Sequence, residues 1–582
     1  MEQVLRKRSL ILAAVGYLFT AVLHIPDNMY QHVFDRDAPV QFLSLISLAA
    51  AFAIVIGLKP ERFKFKSQLG YALIAVAVSV VISLAMSGNL IGAIYGDAGR
   101  FAGVLSLAAL IIVAIFHTQF RVEQFLKLIG YYIATVEIVA ILGILQHFKV
   151  ITFPGAGGVS STLGNTDFFA AYLGTTLPLI YLLHHRASKR LQWALLAAAA
   201  INLYAINIAG PLQAYVDIAL TLVGFGIYQL RRFIPRFSWT LNARTFIGTF
   251  AVIIWAEFIF LMPFLGKFVP VLGNDLQVKI RANFWLDGMK QFFAHPFFGV
   301  GPDNYGNFYE QYRTLDDLKN YPDILSNDAH SASVQTLATL GIFGTLALLA
   351  LIAFVIRAIL ILWDKRTIDR TVLFFLSLFI FIYMTNSFVS PLVPTHKYLF
   401  WAVCGFLIGR VYKLRASEIT STFTTRTVAL ASSALILIAA VIFTQGQWNY
   451  ITHIEKYAAN PKAIVKYTAS PVLPCFMYFD AEALMLNNQG NQAVLDLASN
   501  ELKNNPRCVA ASMVMAKYAV AVGDFSNLKI YAYKLHEFAP GRGKTVEYTM
   551  YYSLKTGDLT MMPAIQKMMK DLGLIYVPGP TK

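Results

Sequence analysis

The feature that most constrains this chain is a recurring apolar stretch of about 17 to 25 residues, the length that crosses a hydrocarbon layer of about 30 Å as a helix. Thirteen such stretches run along the first three quarters of the sequence, over 9–25, 41–58, 69–88, 101–117, 127–146, 166–184, 191–209, 212–230, 245–266, 331–356, 371–389, 398–410 and 427–444. With 57% apolar residues, 14% charged residues and a mean hydropathy of +0.57, the chain lies outside the globular range. The expectation is an all-α, polytopic membrane protein with about 13 transmembrane helices.

Basic residues near span ends are retained on the cytoplasmic side, so their distribution sets the orientation. One set of alternate connections, from Arg6–Arg8 to Arg410–Arg426, carries 24 Lys and Arg. The opposite short loops carry four: Arg36, Arg100, Lys149 and Lys397. This places the N-terminus in the cytoplasm and leaves the loop 267–330, with everything after the thirteenth span, on the extracytoplasmic side. The net charge of +16 then reflects topology, and no nucleic-acid partner is read from it. The opening segment has the basic flank and apolar body of a secretory signal without a small-residue cleavage site, and is read as an uncleaved first span. Cys404, Cys475 and Cys508 form no metal or redox spacing.

Two domains follow. Residues 1–444 form the membrane domain, whose loop 267–330 exceeds the length of ordinary connections and is aromatic-rich and helix-patterned, as in "QVKIRANFWLDGMKQFFAH". Residues 445–582 are polar and helix-patterned. Gly490, Gly523 and Gly557 recur at spacings of 33 and 34, and Pro506 and Pro540 lie 34 apart. That period is the signature of a tetratricopeptide-like helical repeat, an architecture that binds partners; the alternative is a helical tail with coincidental glycines.

Chemistry points to the outer face. Lys279 and Arg281 open a loop helix, and Arg100 and Lys397 lie at outer span ends. Arg clamps a diphosphate bidentately, whereas Lys acts as a point charge; each could instead pair with a loop acid. His330, between "SND" and an apolar span, could take a proton from an acceptor hydroxyl, or could be a structural hydrogen-bonding group. His396, in "VPTHKYLFW", is its rival. "GVGPDNYG" reads as a structural turn rather than a phosphate cradle, since it lacks the P-loop Lys-Ser/Thr. Glu137, Asp217 and Glu257 lie within spans, where ionisable groups are functional candidates and could serve a transporter's proton path. No HExxH, Walker A or GxSxG motif is present.

Four stretches, in order, resemble the O-antigen ligase and polymerase superfamily of bacterial membrane enzymes, in particular members with a C-terminal tetratricopeptide-like domain: "GDAGRFAGVLSL", "STLGNTDFFAAYLGTTLPL", "RANFWLDGMKQFFAHPFFGVGPDNYG" and "DAHSASVQTLATLGIFG". The resemblance implies a metal-independent, inverting glycosyl transfer without a cofactor, from an undecaprenyl-diphosphate-linked glycan to a glycan, lipid or protein acceptor, on the outer face of the inner membrane. It makes His330 the base and Arg281 the group that neutralises the departing diphosphate, with Arg100, Asn165, Gln213, Lys279 and Lys397 as substrate-binding candidates. The departures are the absence of a family arginine near Gln213, Ser331 after the histidine, and Asn165-Thr166-Asp167 in place of Asn-Pro-Asn. Ligase, polymerase and protein oligosaccharyltransferase activities all remain open. So do a lipid-linked oligosaccharide carrier using Glu137 and Glu257, and a scaffold organised by the repeats.

Overall fold

The computed structural model describes residues 2–23, 38–97, 100–153, 158–233, 276–322, 324–414, 423–459 and 492–573. The first part of the bundle comprises α1 (Glu2–Val22), α2 (Ala38–Leu58), α3 (Ser67–Met86), α4 (Leu90–Tyr95), α5 (Val104–His117), α6 (Val122–His147), α7 (Thr166–Arg186), α8 (Lys189–Ala209) and α9 (Leu212–Phe233). The loop supplies α10 (Leu276–Ala294), α11 (Tyr305–Tyr312) and α12 (Leu315–Asn320). The bundle resumes with α13 (Ala332–Lys365), α14 (Arg370–Ser387), α15 (Pro394–Tyr412) and α16 (Phe423–Ala459). The C-terminal layer contains α17 (Gln492–Asn504), α18 (Val509–Val522), α19 (Phe525–Phe538), α20 (Gly543–Thr556) and α21 (Met562–Leu572).

Among the described residues, eight helices are long and apolar enough to cross a membrane: α2, α3, α6, α7, α8, α13, α14 and the Phe423–Trp448 part of α16. Helices α1, α5, α9 and α15 occupy four more of the expected spans but are shorter or more polar, α5 having only 14 residues. The stretch 245–266, with Glu257, lies outside the described residues, as do Cys475 and Gly490. Helices α2 and α7 are wrapped by their neighbours, whereas α3, α8, α13 and α16 expose large apolar side chains such as Tyr71, Trp193, Leu346 and Leu435. An apolar helix with one uncovered face is what a lipid-facing position requires.

Packing is tightest where small residues let backbones touch. A Cβ at Gly405 of α15 would overlap the Ala114 backbone of α5, and one at Gly409 would overlap Thr118. This four-residue spacing brings two helices together where dispersion and close contact replace the hydrophobic drive. Nearby, Phe125 and Phe406 stack at 4.0 Å, and Phe52 and Phe116 at 3.8 Å. Two of the basic connections meet at one end of the bundle: Lys66 N donates to Tyr412 O, Leu414 N to Lys64 O, and Arg426 Nε to Gly57 O.

The C-terminal helices pack each on the next. Gly523 and Gly557, both at φ 72°, end α18 and α20 in the left-handed conformation that a side chain resists, so the 34-residue spacing marks every second helix end. Cys508, at the head of α18, is disulfide-bonded, and Cys404 of α15 is free and buried. The layer rests on α11 and α12 of the loop. Arg542 pairs with Glu310 at 3.3 Å, and Asn505 Nδ2 donates to Asn307 Oδ1 at 2.9 Å. The Arg507 guanidinium lies between the Phe308 and Phe538 rings, 3.8 and 4.2 Å from their centroids, and also donates to Gln311.

Candidate functional site

Helix α13 is broken. Gly341 adopts φ 64° and ψ −167°, a conformation closed to residues with a Cβ, and a Cβ there would overlap the Phe297 backbone. The break frees two carbonyls and two amides from the helical ladder, and inside an apolar bundle each needs a partner. The "HPFFGVG" turn supplies all four. Val300 N donates to Ala338 O (2.9 Å) and Gly301 N to Thr339 O (3.0 Å), while Ile342 N donates to Pro296 O (2.8 Å) and Phe343 N to Phe297 O (3.3 Å). From α3, Ser83 Oγ bridges the Phe298 and Thr339 carbonyls at 2.7 and 3.1 Å. The glycines of two separate motifs therefore exist for one junction, which fixes the start of α13.

His330 stands two residues before that helix. It adopts φ 53°, a strained conformation for a residue with a Cβ, held by Asp328, whose Oδ1 accepts the His330 N–H at 2.6 Å. His330 Nδ1 lies 3.0 Å from the Asp328 carbonyl oxygen, an acceptor only, so Nδ1 carries the proton and Nε2 is the free base. No described residue hydrogen-bonds Nε2. Gln335 Oε1 accepts the Ala329 N–H at 2.9 Å, and the Phe284 ring of α10 lies 5.1 Å from the imidazole. Burial lowers the imidazole pKa to about 3, with Arg100 and then Arg281 adding to the effect and the Asp328 carbonyl opposing it. The ring is neutral at physiological pH.

Arg281 projects from α10 and donates from Nη2 to Asp167 Oδ2 at 3.1 Å. Asp167 sits in the first turn of α7, whose cap is Asn165: the Asn165 Oδ1 accepts the Asp167 N–H at 2.7 Å. Asn165 thus acts through the helix end that presents Arg281's partner. Arg100 donates from Nε to Asn327 Oδ1 at 3.2 Å, and its guanidinium lies 5.1 Å from the Phe168 ring centroid. It opens into a cleft lined with Gln41, Leu163, Leu392, Val393 and Pro394. Lys397, one turn along α15, lies in the same electrostatic neighbourhood: burial lowers its pKa, and Asp328 and Asp303 oppose this. Burial raises the pKa of Asp328, and pushes that of Asp303 up to about 7.

The structure therefore brings Arg100, Arg281, His330 and Lys397 to the loop end of the bundle. It does not bring Lys279 or Gln213 into that group. Lys279 is exposed on α10. Gln213 donates to Asn386 Oδ1, and Asn386 Nδ2 reaches Asp217 Oδ1 at 2.8 Å and Thr175 Oγ1 at 3.3 Å, a knot that ties α9, α14 and α7. His396 is buried against the edges of Tyr172 and Tyr383, with neither ring nitrogen hydrogen-bonded to a described residue. Glu137 of α6 faces Asn202 of α8. Sequence reasoning missed Asp167, Asp303 and Asp328. "NTD", "GPDN" and "SND" each signal a turn or cap, but their contacts arise only from the fold.

Residues 160–349 match the family model described as O-antigen ligase. The chain carries an O-antigen ligase domain. The domain contains Asp167, Arg281, the Gly341 junction and His330, whereas Arg100, Lys397 and the C-terminal layer lie outside the matched stretch. No curated protein matches the chain. A multi-pass bundle with this match is similar, at the coarse level, to membrane enzymes of the glycan ligase and polymerase kind.

Proposed function

We propose that this protein transfers a glycan from an undecaprenyl-diphosphate-linked donor to an acceptor hydroxyl, without a metal or cofactor and with inversion, on the outer face of the inner membrane with its N-terminus in the cytoplasm. The observation that carries the reading is the neutral His330, its Nδ1 committed to the Asp328 carbonyl and its Nε2 left as base between two arginines. The acceptor oxygen attacks the anomeric carbon, its proton passes to Nε2, and the bond from that carbon to the diphosphate oxygen breaks. Arg281 and Arg100, with Lys397 nearby, offset the charge that accumulates on the leaving diphosphate. A bound diphosphate also offsets the two guanidinium charges that hold the imidazole pKa down, so donor binding makes His330 a stronger base.

The acceptor is a lipid core, a growing polysaccharide or a protein. The C-terminal helices, which we read as a tetratricopeptide-like domain, stand against α11 and α12 of the loop and are suited to present a large acceptor. The test is transfer from a fluorescent undecaprenyl-diphosphate glycan by purified wild type, H330A and R281A in EDTA. Transfer by wild type and its loss in both folded variants supports the reading. Normal transfer by H330A removes the base, and a wild type that transfers to none of the three acceptor classes brings the carrier, with Glu137, to the front.

A further inference from the structure

The turn that fills the α13 break ends in "GPDN", and its aspartate has no part in the chemistry proposed above. Asp303 is 4% exposed and adopts φ 55°, so its position is imposed by the surrounding structure. One oxygen, Oδ2, accepts two backbone amides from the loop before α5: Asp97 N at 2.8 Å and Ala102 N at 2.9 Å. Those amides bracket Arg100. Within the bracket, Asp97 O accepts the Arg100 N–H at 3.1 Å and the Phe101 N–H at 2.8 Å, and Phe101 is itself left-handed at φ 46°. Gly96, at φ 98°, leaves only the room of a hydrogen where a Cβ would meet Asp303 Oδ2 at 2.5 Å. The next residue of the turn fixes the flank, since Asn89 Nδ2 donates to Asn304 Oδ1 at 3.3 Å.

We propose that Asp303 is a positioning residue for donor binding, tying down the Asp97 and Ala102 amides on either side of Arg100 so that the Arg100 guanidinium faces the cleft it lines with Gln41, Leu163 and Pro394. This rests on the reading of Arg100 as a diphosphate contact. A carboxylate oxygen accepts two converging N–H groups at once, and backbone donors three residues before and two residues after Arg100 leave its side chain few directions. The same turn is bonded to the α13 break through Val300 and Gly301, so the segment that fixes the helix before which His330 stands also fixes Arg100.

The experiment measures donor KM and kcat with the fluorescent undecaprenyl-diphosphate glycan for full-length wild type, R100A, D303A, D303N and R100A/D303A. Folding is checked by gel filtration and melting temperature. The expected result is a donor KM raised on the order of tenfold in D303A with kcat changed by less than about threefold. D303N, which keeps an oxygen for both amides, recovers most of that loss. The double variant is worse than R100A by less than about twofold, because both substitutions remove one interaction. Where D303A fails to fold, D303E keeps the charge, displaces the oxygen by a methylene and raises donor KM in the same way. A normal donor KM in D303A or D303E alongside a raised KM in R100A overturns the role of Asp303, as do multiplying effects in the double variant. A normal donor KM in R100A instead overturns the diphosphate role of Arg100 and the proposal with it.

Discussion

Two buried polar groupings in this bundle differ in the side chains they use and in where they stand, one among the spans and one at the loop end. In the knot of Asp217, Asn386, Gln213 and Thr175, side chains from three helices meet, with the Asn386 amide donating to both Asp217 and Thr175, and Asp217 Oδ2 and Gln213 Oε1 buried without a described partner. At the loop end, Arg100 and Arg281 lie close enough to act on an imidazole whose Nε2 no described residue hydrogen-bonds, and Arg100 lines a cleft. The first grouping joins helices. The second keeps an imidazole nitrogen without a described partner, beside an Arg281 paired with Asp167 and an Arg100 bonded to Asn327. An ionisable residue within a span is a functional candidate by default, yet here the more enclosed acid is the one held as glue.

The comparison breaks most sharply if the loop-end residues prove dispensable. H330A and R281A are expected to lower transfer by about 10²- to 10⁴-fold with melting temperatures close to wild type, read from initial rates at saturating donor. A melting temperature that falls in step with activity would make this end glue as well. Next in size is the junction beneath it. G341A forces a Cβ into a left-handed residue against the Phe297 backbone, and is expected to cost at least about 1–2 kcal/mol of stability, seen as a lower melting temperature and a poor yield of monodisperse protein. N386A sharpens the other side of the contrast. It leaves the Asp217 carboxyl without its amide partner at a cost of about 1–3 kcal/mol, with transfer per folded molecule within about twofold of wild type. A large loss of kcat in folded N386A would give the knot a direct role.

Acid titration separates the two groupings through His330. An imidazole acts as base only when unprotonated, and burial with Arg100 and Arg281 lowers its pKa from 6.5 to about 3. The kcat/KM of the free enzyme is therefore expected to stay insensitive to His330 protonation from neutral pH to well below 6.5. Removing the Arg100 charge in R100A raises that pKa and moves the acid limb to higher pH. The linkage to stability has the opposite reading from an ion-paired histidine. The unfolded chain binds the proton more readily, so this contribution is full above about pH 6.5 and is lost as pH falls below it. The smallest effect belongs to the C-terminal layer. R542A breaks a mostly buried pair with Glu310, and its effect on transfer is expected to be the smallest, with donor KM unchanged and acceptor KM raised. An acceptor KM equal to wild type would separate this contact from acceptor presentation.

Much of the architecture was legible in the sequence. Eight of the thirteen apolar stretches coincide with long apolar helices and four more with shorter or more polar ones, because lipid-spanning length and polarity are local properties of a chain. The glycines spaced by 34 residues end helices, since φ 72° is a local demand as well. The site was legible only in part. His330, Arg281, Arg100 and Lys397 could be picked out as charged or titratable groups at span ends, and they do gather. Gln213 and Asn165 were chosen by position in a motif, and turn out to bond a helix knot and to cap α7.

Sequence by itself determined that this chain spans a membrane as helices, and which residues carry charge or a titratable ring beside the ends of those helices. Burial length, helix caps and glycine conformations depend on neighbours in the chain, so they can be read there. Only the tertiary structure decided that "HPFFGVG" fills the break at Gly341, that Asp167 pairs with Arg281, that the Asp328 carbonyl meets His330 Nδ1 and that Asp303 meets the Asp97 and Ala102 amides. Each of these is a hydrogen bond or ion pair whose partners were brought within reach by the packing of helices, and no local pattern records which distant amide a carboxylate will meet.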